Sequence, residues 1–146
     1  MTLPEKLFRA LGVVLIAFFL LAGLIFAATY YDQIKIRREA KTLQETIKPE
    51  FTISEFENAI EAARYKIYLE NENGQTSPET DFAAFKEFIA GNNRRAFFIF
   101  EFSAMNLKFG WTVCSFEVRF TSPGKIAAIS EIREKNYDIS MASIQE

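Results

Sequence analysis

The feature that most constrains this chain is an uncharged apolar run near its start, from Ala10 to Tyr31. As a helix the run would rise roughly 33 Å, enough to cross a hydrocarbon core of about 30 Å. Backbone groups inside lipid must bond within their own segment, so a single helix is the form expected here. We therefore predict a flank at 1–9 and a single-pass transmembrane helix at 10–31, with its two tyrosines at the membrane interface.

A cleaved secretory signal is the competing interpretation of this run. The apolar region of such a signal is about 7 to 15 residues long and ends at a small-x-small cleavage site. The run here is longer, and cleavage after Ala28 would place Phe26 where a small residue is needed. These features favour an uncleaved signal-anchor in the cell (inner) membrane. Gly23 and Ala27 are spaced for close helix contact and predict a weak homodimer, with a helix that does not dimerise as the alternative.

Basic residues on either side of the run indicate which side of the membrane carries the rest of the chain. Lys6 and Arg9 precede the run, and a larger basic group follows it between Lys35 and Lys41. The larger count places the following segment in the cytoplasm. Two other features instead place this segment outside the cytoplasm. Lys6 and Arg9 lie closer to the run, and an N-terminal anchor more commonly carries an exported domain. We favour an extracytoplasmic, periplasmic domain.

The segment 32–49 is polar, and its few apolar residues recur at helical spacing. They are Ile36, Ala40, Leu43 and Ile47. We predict a helical stalk that continues the membrane helix and ends before Pro49, because the residue before a proline avoids helical geometry. The narrow apolar stripe is expected to lie against the following domain.

Residues 50–134 form the predicted folded domain. Thr52-Ile-Ser-Glu55 has the pattern of a capping box and predicts a helix that ends near Leu69. Ser77-Pro78 predicts the start of a second helix, with serine as the cap and proline at the first helical position. Gly91 is the predicted end of that helix.

Beyond the second helix the apolar spacing changes to alternation, which predicts strands. Their predicted ranges are 96–102, 111–120 and 126–132, with a type II turn at Ser122-Pro123-Gly124-Lys125. The last residues, 135–146, are predicted to be a weakly ordered tail. The predicted fold is therefore α+β: a transmembrane helix with a helical stalk, then two helices packed on a three-stranded antiparallel sheet.

Composition argues against most familiar catalysis. The chain has no histidine, which removes the commonest general base and the commonest zinc ligand. Its one cysteine, Cys114, lies on the apolar side of the second strand, as a buried inert thiol would. A net charge of −2 supplies no footprint for nucleic acid. We predict no enzyme, no catalytic or metal-binding residue, no cofactor and no nucleic-acid partner.

The helix start at Thr52-Ile-Ser-Glu-Phe56 and the hairpin from Phe116 to Ile126 resemble those of small envelope domains of the BamE/OmlA kind, related to the beta-lactamase-inhibitor-protein-like fold. The family's Leu-Gly-x-Pro sequence near the first helix is absent here, and a spanning helix stands in place of its lipid-bearing cysteine. The resemblance implies a noncatalytic scaffolding or partner-binding role in the cell envelope.

A two-layer sandwich leaves one sheet face partly uncovered, and alternate strand residues point to that face. Phe97, Ile99, Trp111 and Val113 occupy such positions and are the predicted partner contacts. Phe109 also flanks this region, either as a core residue or as part of an exposed aromatic patch with Trp111. The predicted function is a membrane-anchored protein-interaction or assembly module with an unidentified protein partner. The alternatives are small-ligand or lipid binding between sheet and helices, and a carboxylate-based enzyme.

Overall fold

A computed structural model of the chain describes residues 2–79 and 81–138. Its first element is α1 (Leu3–Thr46), one 44-residue helix that continues without a break from the apolar run into the stalk. The helix ends before Pro49, as the proline predicts. Its first half is long and apolar enough to cross a membrane, and none of that stretch is buried inside the protein. These properties are compatible with a membrane anchor or a signal sequence.

The remaining elements form one antiparallel sheet with two short helices. They are α2 (Ile53–Ala59), β1 (Tyr65–Glu70), β2 (Thr76–Glu79), α3 (Phe82–Ile89), β3 (Arg95–Met105), β4 (Trp111–Thr121), β5 (Lys125–Ile129) and β6 (Arg133–Tyr137). The strand order is β2-β1-β3-β4-β5, and β6 pairs with the half of β4 that β5 leaves free. The mixed helix-and-sheet class and the long N-terminal apolar helix are confirmed. The three-stranded sheet is wrong, because the sheet has six strands.

The core lies between one face of the sheet and the helices. Phe98 of β3 is at its centre, fully buried. The ring of Phe85 from α3 lies 4.7 Å from it, that of Phe56 from α2 lies 4.9 Å away, and that of Phe120 from β4 lies 5.6 Å away. These rings meet edge to face, the arrangement that aromatic quadrupoles favour. Aromatic packing therefore holds both short helices to the same sheet face.

The stalk half of α1 packs on that face too, as its apolar stripe predicts. Ile36 and Ala40 are buried against Ala104 and Cys114, while Ile47, directly after the end of the helix, joins the main core. Ala104 lies at the end of β3, so α1 and β3 run side by side in opposite directions. The β3–β4 connection is therefore the part of the sheet nearest to the apolar run.

The helix predicted to reach Leu69 is wrong beyond Ala59, because β1 occupies Tyr65–Glu70. The apolar residues of this segment fit both a helical period and alternation, and periodicity alone does not separate the two. Ile67 is fully buried opposite Phe98 in the ladder with β3. This pairing with a residue some thirty positions away makes the segment a strand rather than a helix.

The start of α2 is as predicted. The hydroxyl of Thr52 accepts the Glu55 backbone N–H at 3.2 Å, and the Glu55 carboxylate accepts the Thr52 backbone N–H at 2.7 Å. Thr52→Ala is expected to lower the free energy of unfolding by about 1 kcal/mol, since one helix donor loses its acceptor. Thr46→Ala is the control, because the Thr46 hydroxyl only donates to the Thr42 carbonyl within α1. Equal losses in chemical denaturation of the two variants would contradict the capping role.

The second predicted helix starts later than Ser77-Pro78, which lies in β2 instead. β2 is an edge strand, where a proline removes no interior ladder bond. α3 begins at Phe82, and the N-cap is Asp81, whose carboxylate accepts the Ala83 N–H at 3.0 Å. The helix ends at Ile89, close to the predicted stop at Gly91.

The strands β3 and β4 are confirmed, but the chain after β4 departs from the prediction. The Ser122–Pro123 bond is cis and the Gly124 N–H bonds the Thr121 carbonyl at 2.9 Å, which makes a type VI turn rather than type II. The predicted strand at 126–132 is β5, which ends at Ile129.

A further strand, β6, follows and runs across the predicted domain end at 134 into the predicted tail. All of its side chains are exposed, and its sequence shows no apolar alternation. Its position is set by backbone pairing with β4. The rest of the predicted tail, 139–146, lies outside the described residues.

Candidate functional site

The sheet face turned away from the helices, here called the open face, is the candidate site. The structure places Phe97, Ile99, Trp111 and Val113 on it, because each alternates with a buried core residue along its strand. Register pairs Phe97 with Arg119 near one end of the face, and Trp111 with Met105 at the other. Phe97 and Met105 are eight residues apart along β3, or about 27 Å. The predicted contacts therefore form two separate groups rather than one patch.

The first group surrounds a depression that we call the distal groove, at the end of the sheet far from the apolar run. Its volume is about 520 Å³. Phe97 lies on its floor, with the ring of Tyr68 stacked beside it at 5.2 Å. Arg95, Arg119 and Glu70 line the groove. This is an apolar floor with charged walls, which suits an extended or side-chain ligand that carries both kinds of group.

Polar side chains separate the two groups along the middle of the open face. Lys66 and Glu101 form an ion pair at 3.5 Å across β1 and β3. The Glu117 carboxylate accepts a hydrogen bond from Arg119, and that bond raises the pKa of Arg119 above its ordinary value. Arg119, which lines the groove, is therefore already paired with a carboxylate of the same strand.

The second group, here called the hairpin cluster, lies at the β3–β4 connection. It consists of Met105, Leu107, Phe109, Trp111 and Tyr137. Outside α1, these five are the exposed large apolar side chains of the part of the chain that the structure describes. Trp111 was predicted as a partner contact, and Phe109 was predicted to be either a core residue or part of an exposed patch. The structure places Phe109 in the patch, with a relative exposure of 75%. Met105, Leu107 and Tyr137 were not predicted, because they lie outside the predicted strands at 96–102 and 111–120 and, for Tyr137, beyond the predicted domain end at 134.

A single side chain organises the β3–β4 turn. The Asn106 side-chain oxygen accepts the Lys108 N–H at 3.0 Å and the Gly110 N–H at 2.9 Å. The Phe109 N–H bonds the Asn106 carbonyl at 3.2 Å, and the Asn106 N–H bonds the Gly110 carbonyl at 3.0 Å. Phe109 itself has φ +58°, a left-handed conformation that bulky residues rarely adopt. The tip is thus closed by its own hydrogen bonds and presents an aromatic ring outward.

Two clefts separate the hairpin from α1. The apolar one, about 350 Å³, lies between the hairpin tip and α1 residues from Phe18 to Thr29. The polar one, about 240 Å³, is lined by Gln33 and Arg37 of α1 and by Lys108, among others. On α1 the apolar cleft ends at Thr29 and the polar cleft begins at Gln33, while Asn106 and Leu107 of the hairpin line both clefts.

An ion pair beside the polar cleft ties β6 to α1. The Arg37 guanidinium donates two hydrogen bonds to the Glu134 carboxylate, at 2.7 and 2.9 Å. This hydrogen bonding lowers the pKa of Glu134 and raises that of Arg37. Next to them the thiol of Cys114 is fully buried, as predicted, and burial raises its pKa.

Acid is expected to loosen β6. A carboxyl group whose pKa is lowered by folding contributes stability at neutral pH, and that contribution is lost as the pH falls through the lowered value. Both partners are partly solvated, so the loss for Glu134 should stay under about 1 kcal/mol. The protection of the β6 amides, which is the exchange rate of an unstructured chain at the same pH divided by the observed rate, should fall at acid pH in the parent chain and depend less on pH in Glu134→Gln. The same acid response in both would contradict the assignment.

No protein-family model, curated protein or solved structure matches the chain. The resemblance to BamE/OmlA-like domains stays a hypothesis. Over residues 2–79 and 81–138, no group of three or more histidine, cysteine, aspartate or glutamate side chains is placed to hold a metal ion. The open face and the hairpin cluster are the features that bear on function.

Proposed function

We propose that the protein is a membrane-anchored, non-catalytic interaction module that binds a protein partner in the distal groove. The apolar half of α1 spans the cell membrane in this proposal, and the folded domain lies on the extracytoplasmic side. The observation that carries it is an uncovered sheet face whose aromatic floor and charged walls lie at the end of the domain far from the apolar run.

The groove suggests the chemistry of the partner. Arg95 and Arg119 approach it from neighbouring strands, and Phe97 supplies an apolar floor between them. Arginine and aromatic side chains are the types that carry most binding energy at protein interfaces. A partner segment that combines an acidic residue with an aliphatic or aromatic one would match both features.

Site-specific photo-crosslinking in intact cells tests the groove. A photoreactive phenylalanine analogue in place of Phe97 should give a discrete adduct with a second protein, and Arg119→Glu should abolish that adduct. The same analogue in place of Glu87, on the exposed side of α3, is the control and should give none. An absent adduct, or the same adducts from both positions, would count against the groove.

Reporter fusions test the anchor and its direction. A C-terminal reporter that is active only outside the cytoplasm should be active, and one that is active only inside should be silent. The reverse result would place the groove in the cytoplasm and remove the periplasmic part of the proposal.

The weak homodimer proposed through Gly23 and Ala27 concerns another side of α1. Apart from its chain neighbours and the backbone of its own helix, no described residue has an atom within 4 Å of a side-chain carbon built on Gly23, and neither Gly23 nor Ala27 lines the apolar cleft. At 100° a residue, the two point well away from the hairpin. No residue in the described part of the chain contacts that side of the helix at Gly23, and Gly23→Leu should weaken crosslinking between copies in the membrane.

Of the alternative functions, ligand binding between sheet and helices finds no support in the packing. The rings of Phe56, Phe85, Phe98 and Phe120 fill that layer with centroid distances of 4.7 to 5.6 Å. The clefts described above open at the surface. The interaction module is therefore the function proposed here.

A further inference from the structure

We propose that the β3–β4 hairpin is a second membrane contact: its tip enters the bilayer beside α1, and an acyl chain of a phospholipid fills the apolar cleft between them. The inference rests on the anchoring role proposed above for α1. It assigns a partner of known chemistry, a lipid bilayer, to the hairpin cluster, and leaves the distal groove to the protein partner.

The exposed apolar side chains of the domain lie on the side that faces the membrane. Surface apolar residues scattered one by one are ordinary in soluble proteins, whereas contiguous ones mark an interaction site. The five of the hairpin cluster gather at one end of one sheet, and that end adjoins the apolar run. Phe109 at the tip is 75% exposed, while Phe97 and Ile99 at the other end are half-buried. The uncovered apolar surface is thus on the side where lipid would be.

The apolar cleft lies at the same level along α1 as the apolar run. The apolar cleft extends from Phe18 to Thr29, about 16 Å of helix rise, and all of it falls within the run at 10–31. Leu107 and Phe109 line the other wall of this cleft. Once the run lies in the bilayer, these side chains face acyl chains rather than water, because nothing else in the described part of the domain covers them.

The polar cleft fixes where the membrane surface falls. Gln33, Arg37 and Lys108 lie together just beyond the apolar cleft, at the level of lipid headgroups. Lysine near a membrane boundary extends its apolar stem along lipid and keeps its ammonium in water. Trp111 and Tyr137, paired across β4 and β6, are amphipathic rings of the kind enriched at membrane interfaces. Lys108 of the hairpin therefore lies beside polar residues of α1, and Phe109 lies beside its apolar run.

The backbone of the tip is also suited to lipid. An unpaired N–H or C=O group in a bilayer costs several kcal/mol, so exposed loops seldom enter it. In this turn the amides of Asn106, Lys108, Phe109 and Gly110 are all bonded inside the turn, two of them to one buried side chain. Phe109 adopts the left-handed conformation that leaves its ring outside the turn. The tip presents apolar surface with few polar groups unpaired.

Trp111 is the chain's one tryptophan and allows a test without a label. The full-length protein is reconstituted into phosphatidylcholine vesicles whose acyl chains carry bromine near the headgroup end. Flotation of the vesicles first shows whether the protein is anchored. Brominated lipid should then reduce Trp111 emission roughly twofold relative to unbrominated lipid, as for a tryptophan at a membrane interface. The double variant Trp111→Phe with Phe97→Trp moves the probe to the distal groove and should show no quenching.

A second variant separates membrane contact from folding. Phe109→Asn places at φ +58° a residue that tolerates this conformation, so its unfolding midpoint should be no lower than that of the parent chain. It removes the ring that reaches furthest into lipid, and quenching of Trp111 should fall. A stable variant with weaker quenching supports the inference.

The outcomes distinguish the two proposals. Protein that fails to float with the vesicles overturns the anchor, and the hairpin contact with it. Protein that floats but shows no quenching of Trp111 by brominated lipid overturns the hairpin contact and leaves the anchor intact. Protection of Trp111 from acrylamide without lipid quenching would mean that another protein or a second copy covers the cluster, which also overturns it.

Discussion

Phe98→Ala is expected to unfold the domain, with a loss of about 3–5 kcal/mol in the free energy of unfolding. Phe98 is fully buried, and its ring contacts those of Phe56, Phe85 and Phe120 from three different elements. The cavity left by alanine is bordered by rings that are fixed to helices and strands, so it cannot collapse without moving them. For a domain whose total stability is on the order of 5–15 kcal/mol, this loss is a large fraction.

Phe97→Ala is the matched control, since it removes the same side chain from the next residue of the same strand. Phe97 points to the open face and is only half-buried, so we expect a loss of about 1 kcal/mol. The thiol of Cys114 is buried between α1 and the sheet and reports unfolding directly. The denaturant midpoint for its labelling should fall sharply in Phe98→Ala and little in Phe97→Ala. Equal shifts would mean that both sheet faces are covered in solution.

The contrast between these neighbours shows which parts of the fold alternation can predict. β3 and β4 carry long stretches in which buried and open-face residues alternate, so both strands and their faces follow from the sequence. β1 does not, because the apolar residues around Ile67 fit a helix equally well and only the ladder with β3 decides. β6 carries no apolar pattern at all, and its pairing with β4 and the Arg37–Glu134 ion pair hold it in place.

The candidate site, like β1 and β6, could not be predicted in full from local sequence patterns. Alternation assigns Phe97 and Trp111 to one face, but their separation along the face depends on the β3–β4 register. The hairpin cluster also depends on α1, since the direction in which the stalk packs brings Phe109 beside the apolar run. Neither the register nor that direction is encoded in a local pattern, because both arise from contacts between distant segments. The sequence alone shows that the β3–β4 connection carries aromatic residues, but it does not show what surrounds their side chains.

Gly110→Ala is expected to detach β6 from β4, at a cost of about 3 kcal/mol in the free energy of unfolding. A side-chain carbon on residue 110 would overlap the backbone carbonyl oxygen of Tyr137 and crowd the backbone of Asp138. Backbone atoms cannot rotate away as a side chain can, so the strand itself must move. The ladder that begins at Trp111 and Tyr137 would open from this end, and the Arg37–Glu134 pair would weaken with it.

Gly91→Ala is the control for the substitution of glycine by alanine. Its added carbon would lie 2.7 Å from the guanidinium carbon of Arg94, which is the far end of a flexible side chain and can shift. We expect hydrogen exchange of the β6 amides to quicken strongly in Gly110→Ala and to stay unchanged in Gly91→Ala. Protected β6 amides in Gly110→Ala would contradict the close approach of Tyr137 to the hairpin. Because that approach places Tyr137 beside Trp111, its loss should also weaken the quenching of Trp111 by brominated lipid.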